Sequence, residues 1–140
     1  METLQMTSTK EVLVRFNEVD SMSIVWHGNY VKYLEDGRED FGQKFGLSYL
    51  HIQKAGYLAP IVDLKIQYKK SLYYGDSVLV ETTFVETEAA KLFFKYRLIS
   101  PITSKVLCTA TTTQVFLDTK GTLQLTLPDF VQDWKKRWFA

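Results

Sequence analysis

An acidic residue precedes the main predicted helix of this sequence at a spacing that suits chemistry. Asp20 leaves a predicted strand, and the chain enters the helical region seven residues later, at His27. The loop between them can fold back and place the Asp20 carboxylate near the helix N-terminus. Main-chain N–H groups at that end of a helix lack acceptors and carry a partial positive charge. We therefore expect a carboxylate and a set of free N–H donors to face one another.

This pairing suits acyl transfer. A thioester carbonyl can accept hydrogen bonds from the N–H groups near His27 and Gly28, which stabilise the oxyanion that develops during attack. The Asp20 carboxylate can attack the carbonyl carbon to give a mixed anhydride, or it can deprotonate a water molecule. The sequence leaves both routes open. Taken alone, an aspartate before a helix is more often a cap or a turn former.

The rest of the sequence predicts the elements that hold this loop. Alternating apolar residues predict a first strand from Glu11, and apolar positions with helical spacing follow over 30–45. Gly37 lies on the apolar stripe of that helix, which indicates that a sheet backbone passes close by. A short helical turn is predicted at 48–54. Strands follow, with a short last one near Leu123–Leu127. One long helix covers four or five antiparallel strands only if the sheet curls around it, so we expect an α+β fold.

Composition restricts the class of protein. A chain of 140 residues with 46% hydrophobic and 24% charged residues fits a single domain over 1–140. We expect a loose tail at 1–10 and a C-terminal extension at 128–140, whose helical spacing favours docking onto the domain or a partner subunit.

A net charge of +1 does not indicate a nucleic-acid-binding protein. We expect a cytoplasmic protein without a membrane span, because the sequence shows neither an apolar signal segment nor a long apolar run.

Metal chemistry and cysteine chemistry are not expected. Cys108 is the single cysteine, and the two histidines are far from it in the sequence, so no metal-ligand spacing is present. A nucleophilic pair of Cys108 with His27 or His51 is possible in principle. A buried strand cysteine is the more common situation.

The loop has an ordered pattern of residue types. An aspartate is followed by three mostly small residues, two aliphatic residues, an aromatic residue and an Asn-Tyr pair that enters the helix. The residues are Asp20, Ser21-Met22-Ser23, Ile24-Val25, Trp26 and Asn29-Tyr30, with His27 before the pair. This pattern resembles the signature of the 4-hydroxybenzoyl-CoA thioesterase family of hotdog proteins. Weaker similarity at Pro60–Val62 and Tyr74–Val80 extends the likeness over about residues 11–127.

The resemblance implies a hotdog fold, in which a curled antiparallel sheet wraps around one long central helix. It implies hydrolysis of acyl-CoA thioesters, with Asp20 as nucleophile or base and the His27 N–H polarising the carbonyl. No cofactor is expected. It also implies a homodimer or homotetramer, in which protomers pair their sheets edge to edge and each active site lies at the interface. Many relatives have glycine in place of Ser23, so the serine is expected to be strained if this position takes a positive φ.

The loop and nearby lysines are the expected substrate contacts. The candidate substrate-binding residues of the loop are Trp26, Gly28, Asn29 and Tyr30, of which Asn29 also suits a helix cap or a loop anchor.

CoA phosphates require local cations. Lys91 matches a basic position that binds nucleotide phosphates in one type of family member. The two residues before it are basic there, whereas here they are Ala89 and Ala90. Lys69 and Lys70, at the end of another predicted strand, are the alternative.

Other interpretations stay open. The acyl group can be carried by an acyl-carrier protein instead of CoA, or the domain can bind acyl-CoA without catalysis, which Ser23 favours. The helix carboxylates Glu35 and Glu39 are reserve candidates for the chemical group, and a solvated helix face or an ion pair with Arg38 is their alternative role.

Overall fold

A computed structural model describes residues 5–139 of the chain. In chain order its elements are β1 (Gln5–Leu13), α1 (Tyr30–Phe45), α2 (Tyr49–Lys54), β2 (Tyr57–Leu58), β3 (Ile61–Tyr68), β4 (Ser77–Val85), β5 (Lys91–Ile99), β6 (Val106–Val115), β7 (Leu117–Asp118) and α3 (Asp129–Phe139). The loop between β1 and α1 contains two short 3₁₀ turns, Phe16–Glu18 and His27–Asn29.

The main sheet is antiparallel and has the strand order β1-β4-β5-β6-β3. The long helix α1 packs against its inner face, at β1 and β4. The short strands β2 and β7 form a separate two-stranded ladder. The predicted α+β architecture, with one long helix covered by an antiparallel sheet, is therefore confirmed.

Alternation along the strands places the core between the sheet and α1. On β4, Val78, Val80 and Phe84 face the helix and are fully buried. Gly37 explains how closely the layers approach, since an ideal Cβ there would lie 2.5 Å from the Thr82 hydroxyl and from a Val80 methyl group. The sheet does approach α1 closely at Gly37, but the nearest atoms belong to side chains of β4, so the predicted contact with the sheet backbone is wrong.

The N-terminal strand corrects one prediction. Residues 5–10 belong to β1, which pairs with β4 along its whole length, so a loose tail at 1–10 is wrong for them; residues 1–4 lie outside the described residues. The mistake has a physical reason. On the inner face of β1, Ser8 and Lys10 lie opposite the buried residues Thr82 and Val80 of β4, so polar residues stand where the strand pattern requires apolar ones.

The C-terminal extension forms a docked helix. The indole N–H groups of Trp134 and Trp138 donate to the Phe45 carbonyl at 2.6 and 3.1 Å, and Trp134 is buried. This satisfies a carbonyl at the end of α1 that has no partner within the helix.

The strand predicted near Leu123–Leu127 is wrong, because only an isolated bridge between Leu117 and Leu123 forms there.

Candidate active site

The segment between β1 and α1 folds into a loop that is closed by main-chain contacts. Val19 and Val25 form an antiparallel bridge, and the Asp20 N–H donates to the Ile24 carbonyl at 2.8 Å. Ile24 also forms a bridge with Tyr73, which lies between β3 and β4. The loop is therefore fixed to itself and to the sheet, with Asp20 in its tight turn.

The Asp20 carboxylate is oriented by main-chain donors and stays exposed. Its Oδ1 accepts hydrogen bonds from the N–H groups of Met22, at 2.8 Å, and Ile24, at 3.3 Å. Within residues 5–139, Oδ2 has no hydrogen-bond donor and no cation lies at salt-bridge distance. Asp20 is thus a turn former through one oxygen, while the other oxygen is left available for reaction.

Ser23 adopts a left-handed backbone conformation, with φ at 63°. The positive φ considered above is confirmed, and for a residue with a Cβ it costs about 1 kcal/mol. Hydrogen bonds hold the residue in place, because its N–H donates to the Asp20 carbonyl and its own carbonyl accepts from the Tyr74 N–H, both at 3.0 Å. The loop therefore closes with serine at this position.

The helical segment begins at His27, where a 3₁₀ turn runs directly into α1. No acceptor in the described part of the chain takes the N–H of His27 or of Gly28. The His27 carbonyl, by contrast, accepts the Tyr68 hydroxyl at 3.0 Å and the Tyr30 N–H. Two main-chain donors are thus free at a helix start, where the helix dipole favours negative charge.

Gly28 lies directly against the Trp26 side chain. An ideal Cβ on Gly28 would overlap the six-membered ring of the Trp26 indole. The same ring lies 4.9 Å from the His27 imidazole, measured between centroids, and more than half of the Trp26 surface is exposed. The indole therefore covers the helix start and still presents surface to a ligand.

A cavity of about 330 Å³ opens beside the loop, and we call it the Asp20 cavity. Its lining residues are Asp20, Ile24, Val25, Trp26, His27, Tyr30, Tyr68, Lys69, Lys70 and Ser71. The structure thus brings together six of the predicted site residues: Asp20, Trp26, His27, Tyr30, Lys69 and Lys70. The N–H groups of Lys69 and Lys70 both donate to the Leu107 carbonyl at 3.0 Å, which fixes the chain just after β3. Burial is the main reason why the pKa of the Tyr30 hydroxyl is raised, so Tyr30 stays neutral.

Three predicted residues do not line the Asp20 cavity: Gly28, which lies against the Trp26 ring, Asn29 and Lys91. The Asn29 side chain donates to the Glu18 carbonyl at 2.9 Å, so it anchors the loop. Lys91 begins β5 and pairs with Val115, whereas the Asp20 cavity lies at the opposite end of the sheet, beside Tyr68. Within one protomer, Lys91 is therefore remote from this cavity.

A second and larger cavity, of about 450 Å³, lies between α1, α2 and the β2 region. It is lined by Glu35, Arg38, Glu39, Leu47, Tyr49, Ile52, Tyr57, Leu58, Ala59, Pro60, Leu92, Phe94, Gln114 and Leu117. Arg38 donates to the Tyr96 hydroxyl at 3.3 Å and forms no ion pair with Glu35 or Glu39 among the described residues. The Asp20 cavity is the candidate active site, because Asp20 and His27 both line it.

Residues 5–139 contain no cluster of three or more potential metal ligands. Likewise, none of the helices in this range is long and apolar enough to cross a membrane.

Comparison with known proteins places the chain in a family. The family model described as the thioesterase-like superfamily matches residues 14–135. The chain belongs to this superfamily. The match includes the whole Asp20 loop, α1 and all strands of the main sheet except β1.

Individual relatives agree with this family. A Bacillus subtilis (strain 168) protein that carries the provisional name acyl-CoA thioesterase YneP is 32% identical over 127 residues, which is 91% of each chain. Among solved structures, a DHNA-CoA thioesterase from Staphylococcus aureus is 27% identical and superposes with a TM-score of 0.82, over 94% of this chain and 90% of that one. A hypothetical protein of Thermus thermophilus is 26% identical, with a TM-score of 0.83 and coverage of 96% and 99%. Together with the architecture, these matches confirm the hotdog fold.

Two residues of this superfamily member were not among the sequence predictions. Glu18 is a buried carboxylate that holds the loop, and Tyr68 contacts the His27 carbonyl. Glutamate in a polar loop usually indicates an exposed side chain, and Tyr68 is one alternating residue of a strand. Neither residue type nor spacing marks their roles, which depend on contacts between distant segments.

Proposed function

We propose that this protein hydrolyses acyl-CoA thioesters to free CoA and a carboxylic acid, with Asp20 as its chemical group. The observation that carries the proposal is the joint position of Asp20 and His27 on one cavity. A carboxylate with one free oxygen meets a helix start with free N–H groups there. The family of the chain and the names of its relatives support the same reaction class.

The proposed mechanism is attack on the thioester carbonyl carbon, followed by release of CoA. Attack on the thioester carbonyl carbon places negative charge on its oxygen, which the N–H groups of His27 and Gly28 stabilise. Collapse of the intermediate breaks the C–S bond and releases CoA as a thiolate, which is protonated by solvent. If Asp20 attacks, water then hydrolyses the mixed anhydride; if Asp20 acts as a base, water attacks the thioester directly.

Lys69 and Lys70 support CoA as the carrier of the acyl group. Both line the Asp20 cavity and are exposed, so they can meet the phosphates of CoA while its thioester reaches the carboxylate. Lys91 can contribute to the same site only from another protomer. A cytoplasmic location stays a prediction.

The proposed assembly is a dimer formed through β3. Among the described strands, β3 pairs only with β6, so its other edge is open, and this strand exposes Val62, Leu64 and Tyr68. An open edge with apolar residues favours pairing with another strand. Antiparallel pairing of two β3 strands would place the Tyr68 end of one protomer against the Ile61 end of the other.

This pairing also suggests where the acyl group binds. The Asp20 cavity lies at the Tyr68 end of β3, and the larger cavity lies at the other end, beside Ala59 and Pro60. In the dimer, Asp20 of one protomer therefore approaches the larger cavity of the partner subunit. Its lining is mainly apolar, which suits an aryl or short aliphatic acyl group.

The direct test is a panel of acyl-CoA esters incubated with the protein, with released CoA measured by a chromogenic thiol reagent. We expect turnover of at least one aryl or short-chain ester. Tight binding of acyl-CoA without release of thiol would instead support the non-catalytic alternative. Faster turnover of the same acyl group on an acyl-carrier protein would identify that protein as the donor.

A further inference from the structure

Glu18 is a buried carboxylate two residues before Asp20. It is 5% exposed, although it belongs to a loop. A carboxylate is costly to bury unless hydrogen bonds and charges compensate for the lost water. Its contacts must therefore account for its position.

The Glu18 side chain connects the first part of the loop to α1. Its Oε1 accepts the Arg15 N–H at 2.8 Å and the Tyr33 hydroxyl at 3.0 Å. Its Oε2 lies 3.9 Å from the Lys32 ammonium group, which is half exposed and adds little. Tyr33 is fully buried, and burial, followed by the bond to Glu18, raises the pKa of its hydroxyl. The hydroxyl therefore stays protonated and donates.

The main chain of Glu18 connects the same point to the helix start. Its carbonyl accepts the Trp26 N–H at 3.1 Å and the Asn29 side-chain amide at 2.9 Å. Trp26 directly precedes His27, whose N–H is a proposed oxyanion donor. One residue thus contacts both sides of the loop, the side that leads to Asp20 and the side that leads to the donors.

We propose that Glu18 is a positioning residue, which fixes the distance between the Asp20 carboxylate and the N–H groups of His27 and Gly28. This inference rests on the proposed function, because it concerns the geometry of that reaction. A displacement of about 1 Å between reacting groups can reduce a rate by roughly 100-fold. Glu18 is not among the residues that line the Asp20 cavity, so it acts through the loop.

The kinetic test compares Glu18→Ala, Glu18→Gln and Tyr33→Phe with the wild type. We expect Glu18→Ala to lower kcat by about 10- to 100-fold with KM changed by less than about 3-fold, since the interaction affects the transition state. Glu18→Gln keeps an oxygen acceptor for Arg15 and Tyr33, so its loss should be smaller. Glu88→Gln, an exposed carboxylate between β4 and β5, is the matched control and should keep wild-type kcat.

A second readout separates this inference from the proposed function. In Glu18→Ala, hydrogen exchange of the Trp26 amide should accelerate, because its acceptor is no longer held, while Asp20→Asn should leave that exchange unchanged. If the wild type hydrolyses no thioester, the proposed function fails, and amide exchange alone decides on Glu18. If Glu18→Ala does not fold, Glu18→Gln and Tyr33→Phe carry the test.

Two results would overturn the inference. One is wild-type kcat in a folded Glu18→Ala protein with unchanged exchange at Trp26. The other is a loss that appears only as reduced stability in urea, with kcat per folded molecule unchanged, because that pattern belongs to a purely structural residue.

Discussion

The Tyr68 hydroxyl donates to the His27 carbonyl oxygen at 3.0 Å, and this bond joins the end of β3 to the start of the helical segment. The C=O and N–H of a trans peptide group point in opposite directions. Because Tyr68 holds the carbonyl of the peptide between His27 and Gly28, it also sets the direction of the Gly28 N–H. The edge strand of the proposed dimer is therefore linked to a proposed oxyanion donor.

Replacing Tyr68 tests this link. Tyr68→Phe keeps the ring and removes the hydrogen bond, so we expect kcat to fall by roughly 3- to 10-fold as the donor peptide loses its fixed orientation. The free energy of unfolding should drop by less than about 1 kcal/mol, since the side chain is half exposed. Tyr74→Phe, another exposed tyrosine, is the control. Equal kcat values for both variants would refute the link.

Ser23 offers a test of strain in the Asp20 loop. Ser23→Gly should raise the free energy of unfolding by up to about 1 kcal/mol, because glycine adopts a positive φ without a Cβ clash. Ser104 has nearly the same φ, 61°, in the turn between β5 and β6, so Ser104→Gly is a matched control for stability. Urea unfolding should show a similar increase in the free energy of unfolding for both variants. Only Ser23→Gly should alter kcat. A loss of stability in Ser23→Gly alone would contradict strain at this position.

Cys108 should be unreactive in the folded protein. It is fully buried on β6, and burial is the main cause that raises its pKa from 9.0 to about 11. Thiol reagents at pH 8 should label native protein far more slowly than protein in urea. The unfolded chain loses the thiol proton first, so stability should decrease as pH rises from 9 to 11, and Cys108→Ala should reduce that decrease. Rapid labelling of the native thiol would contradict its burial.

Introducing a charged residue on β3 tests whether this strand forms the dimer interface. Val62→Asp places an unpaired carboxylate in the apolar β3 interface, where its loss of water is costly, so we expect sedimentation to show a monomer. Activity should then fall by at least about 10-fold, because Asp20 loses the partner's acyl cavity. Ile102→Asp introduces the same charge at an exposed apolar residue in the β5–β6 turn and should change neither property. A monomeric variant with full activity would show that one protomer is sufficient.

The helix and most strands were predictable because their patterns reflect burial. The apolar stripe over 30–45 is the face that α1 presents to β4, and the alternation on β5 follows its inner and outer faces. The first half of β1 was not predictable, because the polar residues Ser8 and Lys10 occupy inner-face positions and break the alternation. The prediction of a strand near Leu123–Leu127 was wrong because the apolar residues there, such as Leu125, stay exposed.

For the site, the sequence located Asp20, His27 and the lysines at 69–70 but did not show how they are held. The bridge between Val19 and Val25 and the buried contacts of Glu18 depend on main-chain geometry. Such contacts leave no periodic trace in the residue types. Only the likeness to a known loop motif made Asp20 stand out from an ordinary turn former.

The most direct test of the account is Asp20→Asn compared with Asp118→Asn. Asp118 ends β7, away from the Asp20 cavity within one protomer, and its Oδ1 accepts the N–H groups two and four residues ahead at 2.9 Å each. Oδ1 of Asp20 accepts the N–H groups at the same spacing, at 2.8 and 3.3 Å. Asparagine keeps an oxygen for these bonds at both positions and removes only the charge. We predict that Asp20→Asn stays folded and lowers kcat/KM for acyl-CoA hydrolysis by roughly 1,000-fold or more, while Asp118→Asn keeps wild-type activity. A folded Asp20→Asn protein with undiminished hydrolysis would contradict the account.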